Sequence, residues 1–261
     1  MKKKILALLT ASVMVLGVAA CSSSTEETTT EGETTEETTE EGSGMTGAIS
    51  VISREEGSGT RGAFVELMGV VDEDDNDITT VNAEITNSTS VMLTTVAGNP
   101  AAIGYVSLGS LSDEVKAIKV DGVAATVEDI NNGTYKVARP FLVAYKDGSL
   151  TDVAQDFLNY IMSDDGQAII NEEGYISVAE GNTYTASGMS GRIVLAGSTS
   201  VSPVMEVLAD AYKALNPDVT IEIQQTGSGA GITSAIEGVC DFGMSSRALT
   251  DEEAAELVNT Q

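Results

Sequence analysis

Ser53-Arg54-Glu55-Glu56-Gly57-Ser58-Gly59-Thr60-Arg61-Gly62 is the stretch on which the reading of this chain turns. It follows an apolar run, Ala48, Ile49, Val51 and Ile52, that reads as a buried strand. It precedes Ala63-Phe64-Val65-Glu66-Leu67-Met68, which reads as a helix. A Gly-Ser-Gly-Thr segment at such a junction leaves backbone N–H groups free, adds two hydroxyls and aims a helix dipole at one point. Arg54, with five donors on a planar fork, stands at the strand end and reaches the same point. That is chemistry for holding a tetrahedral oxyanion. Taken alone, the same residues also read as a glycine-rich turn beside a surface arginine.

Two more stretches of the same kind weigh against the plain turn. Gly197-Ser198-Thr199-Ser200-Val201-Ser202-Pro203 follows strand-like residues 192–196 and precedes a helix. Thr226-Gly227-Ser228-Gly229-Ala230-Gly231 follows strand-like residues 219–224 and precedes another. Together the three junctions point to an anion held between helix N-termini.

The ends and the composition narrow the class. Lys2-Lys3-Lys4, an apolar run over 5–20 and then Cys21 form a secretion signal. Val18-Ala19-Ala20-Cys21 resembles a bacterial lipobox, which makes 1–21 a lipoprotein signal peptide and Cys21 the lipidated residue. Residues 22–46 are nearly all Ser, Thr, Glu and Gly, a disordered acidic tether with nothing to build a core. With Cys21 lipidated, Cys240 is the one free thiol, in a small apolar role. The chain has no histidine, which removes the Ser-His-Asp triad, histidine zinc sites and imidazole acid–base chemistry. A formal charge of −27 makes nucleic acid an improbable partner. An acidic protein still binds an anion where local dipoles and an arginine dominate.

In chain order, Asp72-Glu73-Asp74-Asp75-Asn76-Asp77 fails as an EF-hand, since Asp77 stands where glycine is needed and Ala83 where glutamate is. It reads as a solvated acidic loop, with no metal. Strands are expected over 79–85, 102–107, 117–120 and, interrupted by Pro140, 138–145. Helices are expected after Ser88 or Ser90, over 127–131, over Val153, Phe157, Leu158 and Ile161, and over 167–171. Residues 180–191 have no periodicity and read as a linker. Beyond it come strand 192–196, a helix carrying Val204, Val207, Leu208, Ala211 and Leu215, strand 219–224, a helix at 232–237 and a strand at 241–244. Thr250 is placed to cap a last helix. Strands alternating with helices give an α/β class with mostly parallel sheets.

The segments 53–61, 196–203, 226–232 and Asp241-Phe242-Gly243-Met244-Ser245-Ser246-Arg247, with Ile103-Gly104-Tyr105-Val106-Ser107, resemble the phosphate-specific substrate-binding lipoproteins of bacterial ABC transporters. The resemblance runs over nearly everything from Ala48 onward. It implies an α/β, two-lobed periplasmic-binding-protein type II fold built from 47–179 and 192–261, with phosphate in the interlobe cleft. It implies phosphate contacts from Arg54, Ser58, Gly59, Thr60, Ser198, Thr199, Ser200, Ser228, Gly229 and Ser246, with Glu56 orienting the arginine. It also implies a membrane permease as partner, anchorage of the chain on the extracytoplasmic face, and no cofactor or catalysis.

Two departures stand out. The Gly-Ser-Thr-Ser segment precedes the Ser-Arg-Glu-Glu-Gly-Ser-Gly-Thr segment in the family and follows it here, and part of the hinge region is not evident. The segment order is therefore expected to be permuted or truncated. Ser246 stands where many members carry an aspartate for the proton of hydrogen phosphate, which leaves sulfate or molybdate open as the ligand. Two further readings are a phosphoryl-transfer enzyme, disfavoured by the missing histidines and metal ligands, and an accessory surface protein that binds nothing.

Overall fold

The strand–turn–helix at 50–68 forms as β1 (Ser50–Arg54) and α1 (Gly59–Met68). The computed structural model describes residues 47–260; the signal segment with Cys21 and the tether 22–46 lie outside the described residues. Ser58 caps α1, its Oγ accepting the Arg61 N–H at 3.4 Å. The helix ends at Gly69 in the left-handed region, φ 66°. β2 (Glu84–Thr86), α2 (Thr89–Gly98) and β3 (Ala102–Ile103) complete the first lobe's parallel sheet, in the order β2-β1-β3.

These strands are shorter than their apolar runs suggest. Beyond Ile103 the chain leaves the ladder because Tyr105 is drawn to β1: its hydroxyl bonds Ser53 Oγ at 2.8 Å and accepts the Arg54 N–H at 3.2 Å. The Tyr105 ring stacks on Phe64 of α1 at 4.1 Å. The strand expected over 117–120 is reduced to one bridge between Val120 and Val123. α3 (Val127–Asn131) follows. The acidic loop closes on itself, Asp72 Oδ1 accepting the N–H groups of Asp74 and Asn76 at 2.9 and 2.8 Å. Asp77 pairs with Arg61 at 2.7 Å.

The second lobe is larger. Its elements are β4 (Leu142–Tyr145), α4 (Asp152–Ile161), α5 (Asp164–Glu172), β5 (Ser190–Gly197), α6 (Ser202–Leu215), β6 (Asp218–Gln224), α7 (Ser228–Ile236), β7 (Phe242–Ser245), α8 (Asp251–Glu256) and β8 (Val258–Thr260). The sheet order is β6-β5-β7-β4-β8. β5 is parallel to β6 and β7, whereas β4 is antiparallel to β7 and β8. Pro140, without an N–H, confines the strand expected over 138–145 to its last four residues. Both faces of its central strands β5, β7 and β4 are largely buried. Val143, Leu195 and Phe242 pack with Phe157 of α4 and Leu208 and Tyr212 of α6. Leu142 and Ala144 face the other way, toward Ile232 and Ala235 of α7.

The expected linker 180–191 is a strap packed on this core, and β5 already begins within it. The Tyr184 hydroxyl donates to Asp156 Oδ2 at 2.6 Å, the buried Tyr212 hydroxyl donates to the same oxygen at 2.8 Å, and Ser187 reaches Asp156 Oδ1 at 3.2 Å. Tyr184 also lies edge-on to Tyr160 at 5.1 Å. Scattered polar contacts hold the segment, from Tyr184 and Ser187 to Asp156, from the Gly181 and Asn182 N–H groups to Asp164 and from the Met189 N–H to Asn216 Oδ1, and such a pattern has no period along the sequence. Cys240 is half-buried, and burial, then Asp241, push its thiol up to about 11.

Asp156→Ala should therefore strip the Tyr184 and Tyr212 hydroxyls of the acceptor they share and cost about 1–3 kcal/mol. Urea unfolding measures this directly, and an unchanged midpoint would show that the strap is not held through Asp156.

Candidate anion-binding site

Four helix N-termini, α1 and α2 from the first lobe and α6 and α7 from the second, bring their hydroxyls to one buried cluster, joined by the turn after β7. Arg54 lies at its edge and is 2% exposed. Its Nη2 donates to Thr199 Oγ1 at 2.9 Å and its Nη1 to Thr89 Oγ1 at 3.4 Å. Thr89 Oγ1 is 3.2 Å from Thr199 Oγ1 and 3.1 Å from Ser200 Oγ. Thr60 Oγ1 is 2.9 Å from Ser200 Oγ and 3.3 Å from Ser246 Oγ. Ser228 Oγ closes the cluster, 3.4 Å from Ser246 Oγ and accepting the Ser246 N–H at 3.2 Å. Seven groups from both lobes thus form one network, with alcohol oxygens touching across the cleft.

The lobes approach as closely as glycine permits. A Cβ on Gly59 would lie 2.3 Å from Ser228 Oγ and 2.9 Å from Ser246 Oγ. The Gly229 N–H donates to the carbonyl of Gly57 across the cleft at 3.1 Å. Of the expected contact residues, Arg54, Thr60, Thr199, Ser200, Ser228 and Ser246 share the network and Gly59 borders it. The other three are engaged elsewhere. Ser58 caps α1, the Gly229 N–H ties the two lobes, and Ser198 Oγ accepts the Ser200 N–H at 3.2 Å, bracing its own loop.

Glu56 does not orient the arginine. Glu55 does, taking Arg54 Nε at 2.9 Å on Oε2 and Nη2 at 3.0 Å on Oε1. Glu56 is exposed at the apex of the turn into Gly57, where its carboxylate faces water. The Thr86 carbonyl takes a further Arg54 Nε contact at 3.2 Å.

Two site residues escape a reading by junction motifs. Thr89 opens α2 after β2 in Thr86-Asn87-Ser88-Thr89-Ser90, a fourth strand–hydroxyl–helix junction without the glycines that mark the others. Arg139, in the crossing before β4, donates through Nη2 to Thr60 Oγ1 at 3.2 Å and through Nη1 to the Ser246 carbonyl. Burial, and then the like charge of Arg54, bring its guanidinium down to about 10. An adjoining cavity of about 970 Å³ shares Thr60 and Arg139 with the cluster, but its lining is mostly apolar, with side chains such as Phe64, Met92, Leu108, Phe141 and Leu208. The polar donors gather instead in the hydroxyl network.

The PBP superfamily domain matches residues 31–165 and 182–261. A Streptococcus agalactiae protein named phosphate-binding protein PstS 2 is 50% identical over 220 residues, which is 83% of this chain and 75% of that protein. The chain belongs to this family. Within it, the crystal structure of a phosphate ABC transporter, phosphate-binding protein from Streptococcus pneumoniae superposes with a TM-score of 0.66 at 46% identity, covering 82% of this chain and 84% of that one. Neither 47–179 nor 192–261 alone amounts to 83% of the chain, so the Streptococcus agalactiae relative carries both segments in the order found here. The Bacillus subtilis phosphate-binding protein PstS, 31% identical, matches only 51% of the chain.

The two neighbouring glutamates should separate cleanly on substitution. Glu55→Gln should lower stability by about 1.5–3 kcal/mol through the buried guanidinium it holds, whereas Glu56→Gln should fall within about 0.5 kcal/mol of the parent. Thermal melts of both variants decide the assignment, and a larger loss in Glu56→Gln would reverse it.

Proposed function

We propose that this chain is an extracytoplasmic, non-enzymatic receptor that holds inorganic phosphate between its lobes for uptake through an ABC-transporter permease. The observation that carries the reading is the Arg54–Thr199 bond at 2.9 Å, which links a buried guanidinium of one lobe to the hydroxyl network of the other. Arg54 would give the fork, Thr60, Thr199, Ser200, Ser228 and Ser246 hydroxyl donors, and Gly59 an amide at the positive end of α1. Ser58, Ser198 and Gly229 would shape the loops that present them. Because Thr60 and Ser200 are in direct contact at 2.9 Å, ligand oxygens enter as these hydroxyls turn and the lobes part slightly. Lipidation at Cys21 with the tether 22–46 would hold the folded part at the outer membrane surface, within reach of the permease.

Catalysis finds little support in the network. Its nearest carboxylate, Glu55, has both oxygens engaged by Arg54, and the chain has no histidine to move a proton at neutral pH. Sulfate remains the competing ligand for a specific reason. Hydrogen phosphate must place its P–OH on an acceptor, and the position of Ser246 offers a neutral hydroxyl that does not repel sulfate as a carboxylate would.

Calorimetry of the protein with phosphate and with sulfate tests the assignment. Phosphate should bind tighter, and sulfate binding equally or more tightly would overturn the choice of anion. Arg54→Ala should weaken phosphate binding about tenfold or more, with Arg54→Lys far from neutral. Unchanged affinity in Arg54→Ala would remove this loop from the site.

A further inference from the structure

Arg54 cannot supply the positive field of this site by itself. Its charge is already matched by Glu55 through two bonds of 2.9 and 3.0 Å, so the pair offers an anion oriented N–H donors and little net charge. Arg61, Arg192 and Arg247 are matched in the same way, by Asp77, Glu222 and Glu253. Arg139 is the exception: among the described residues it has no carboxylate partner. Its charge reaches the hydroxyl network through Thr60 Oγ1, 3.2 Å from Nη2, and through the Ser246 carbonyl. The guanidinium carbon also lies over the Phe141 ring, 5.5 Å from its centroid.

We propose that Arg139 sets the charge preference of the site, favouring the phosphate dianion over the monoanion by placing an uncompensated guanidinium on the hydroxyl network. The inference rests on the phosphate reading above and deepens it. Two physical consequences follow from the geometry. A guanidinium that donates to Thr60 Oγ1 occupies a lone pair there, so the Thr60 O–H is left to donate outward, toward an anion. An unmatched positive charge in a poorly hydrated cleft attracts a dianion about twice as strongly as a monoanion at the same distance.

The surroundings agree. The charged and titratable groups facing Arg139 are Arg54 on β1, itself paired with Glu55, and Tyr175 after α5, which has a phenol raised by burial. Neither supplies a negative charge at neutral pH. Holding the partly buried Arg139 near Arg54 is unfavourable until an anion offsets it, and desolvation with that like charge lowers Arg139 to about 10. It stays protonated throughout the neutral range, so any pH dependence there arises from the ligand and not from this side chain.

Arg139→Gln, which removes the charge and keeps donors, and Arg139→Lys, which keeps the charge and loses the fork, separate the possibilities. Calorimetry of the full chain with inorganic phosphate would be run at one pH below and one above its second ionisation. The parent should bind more tightly at the higher pH. Arg139→Gln should lose about tenfold or more there and less than about threefold at the lower pH. Arg139→Lys should weaken binding at both yet keep the upward trend. Equal losses at both pH values in Arg139→Gln, or a trend abolished in Arg139→Lys, would mean that Arg139 only braces the lobes. Should Arg139→Gln fail to fold by circular dichroism, the lysine variant decides alone. A parent that takes up no phosphate at either pH would instead overturn the phosphate reading itself.

Discussion

A guanidinium buried to 2% exposure is the constraint on which the first lobe and the cleft depend. Removing a charge from water costs several kcal/mol unless it is paired and its donors are satisfied. Arg54 meets that demand from four directions: Glu55 from its own strand end, the Thr86 carbonyl from β2, Thr89 from α2 and Thr199 from the opposite lobe. Each partner fixes an element. β2 must lie beside β1 in the register that sets Arg54 against Thr86, and α2 must begin where Thr89 faces the cleft.

The second lobe answers with rigidity. The central strands of its sheet are covered on both faces, and its glycines allow approaches that no side chain would. A Cβ on Gly197 would lie 2.2 Å from the Met244 carbonyl, and one on Gly231 would lie 2.4 Å from the Ala196 carbonyl. Those two contacts draw the β5 loop, the start of α7 and the end of β7 together, so Ser200, Ser228 and Ser246 reach one point. A hydroxyl network needs such support because each member can donate only once, and a loose loop would let donors turn to water. The first lobe is less enclosed, leaving Ile85 on β2 and Ile103 on β3 exposed.

The arrangement also separates two tasks that an arginine usually combines. Arg54, matched by Glu55, gives directed donors, while Arg139, unmatched among the described residues, gives charge. Arg139 sits on the crossing between lobes, where one guanidinium touches Thr60 on one side and the Ser246 carbonyl on the other. Charge and closure therefore share a residue.

The three glycine-marked junctions were legible in the sequence because they are local. A strand, a turn that needs glycine and a helix N-terminus are encoded within ten residues, and their repetition already implied an α/β fold with an anion between helix ends. Thr89 was not legible, since its junction lacks glycine and a threonine at a helix start is ordinary. The choice of Glu55 over Glu56 was equally hidden, for adjacent acids differ only in which way the turn points them. Arg139 and the strap around Tyr184 were beyond any local pattern, because their partners, Thr60 and Ser246 in one case and Asp156 in the other, are distant along the chain. Residue type and spacing determined which chemistry the chain can present. Which charges are matched and which hydroxyls meet was decided only when two sheets, built from distant segments, closed on each other.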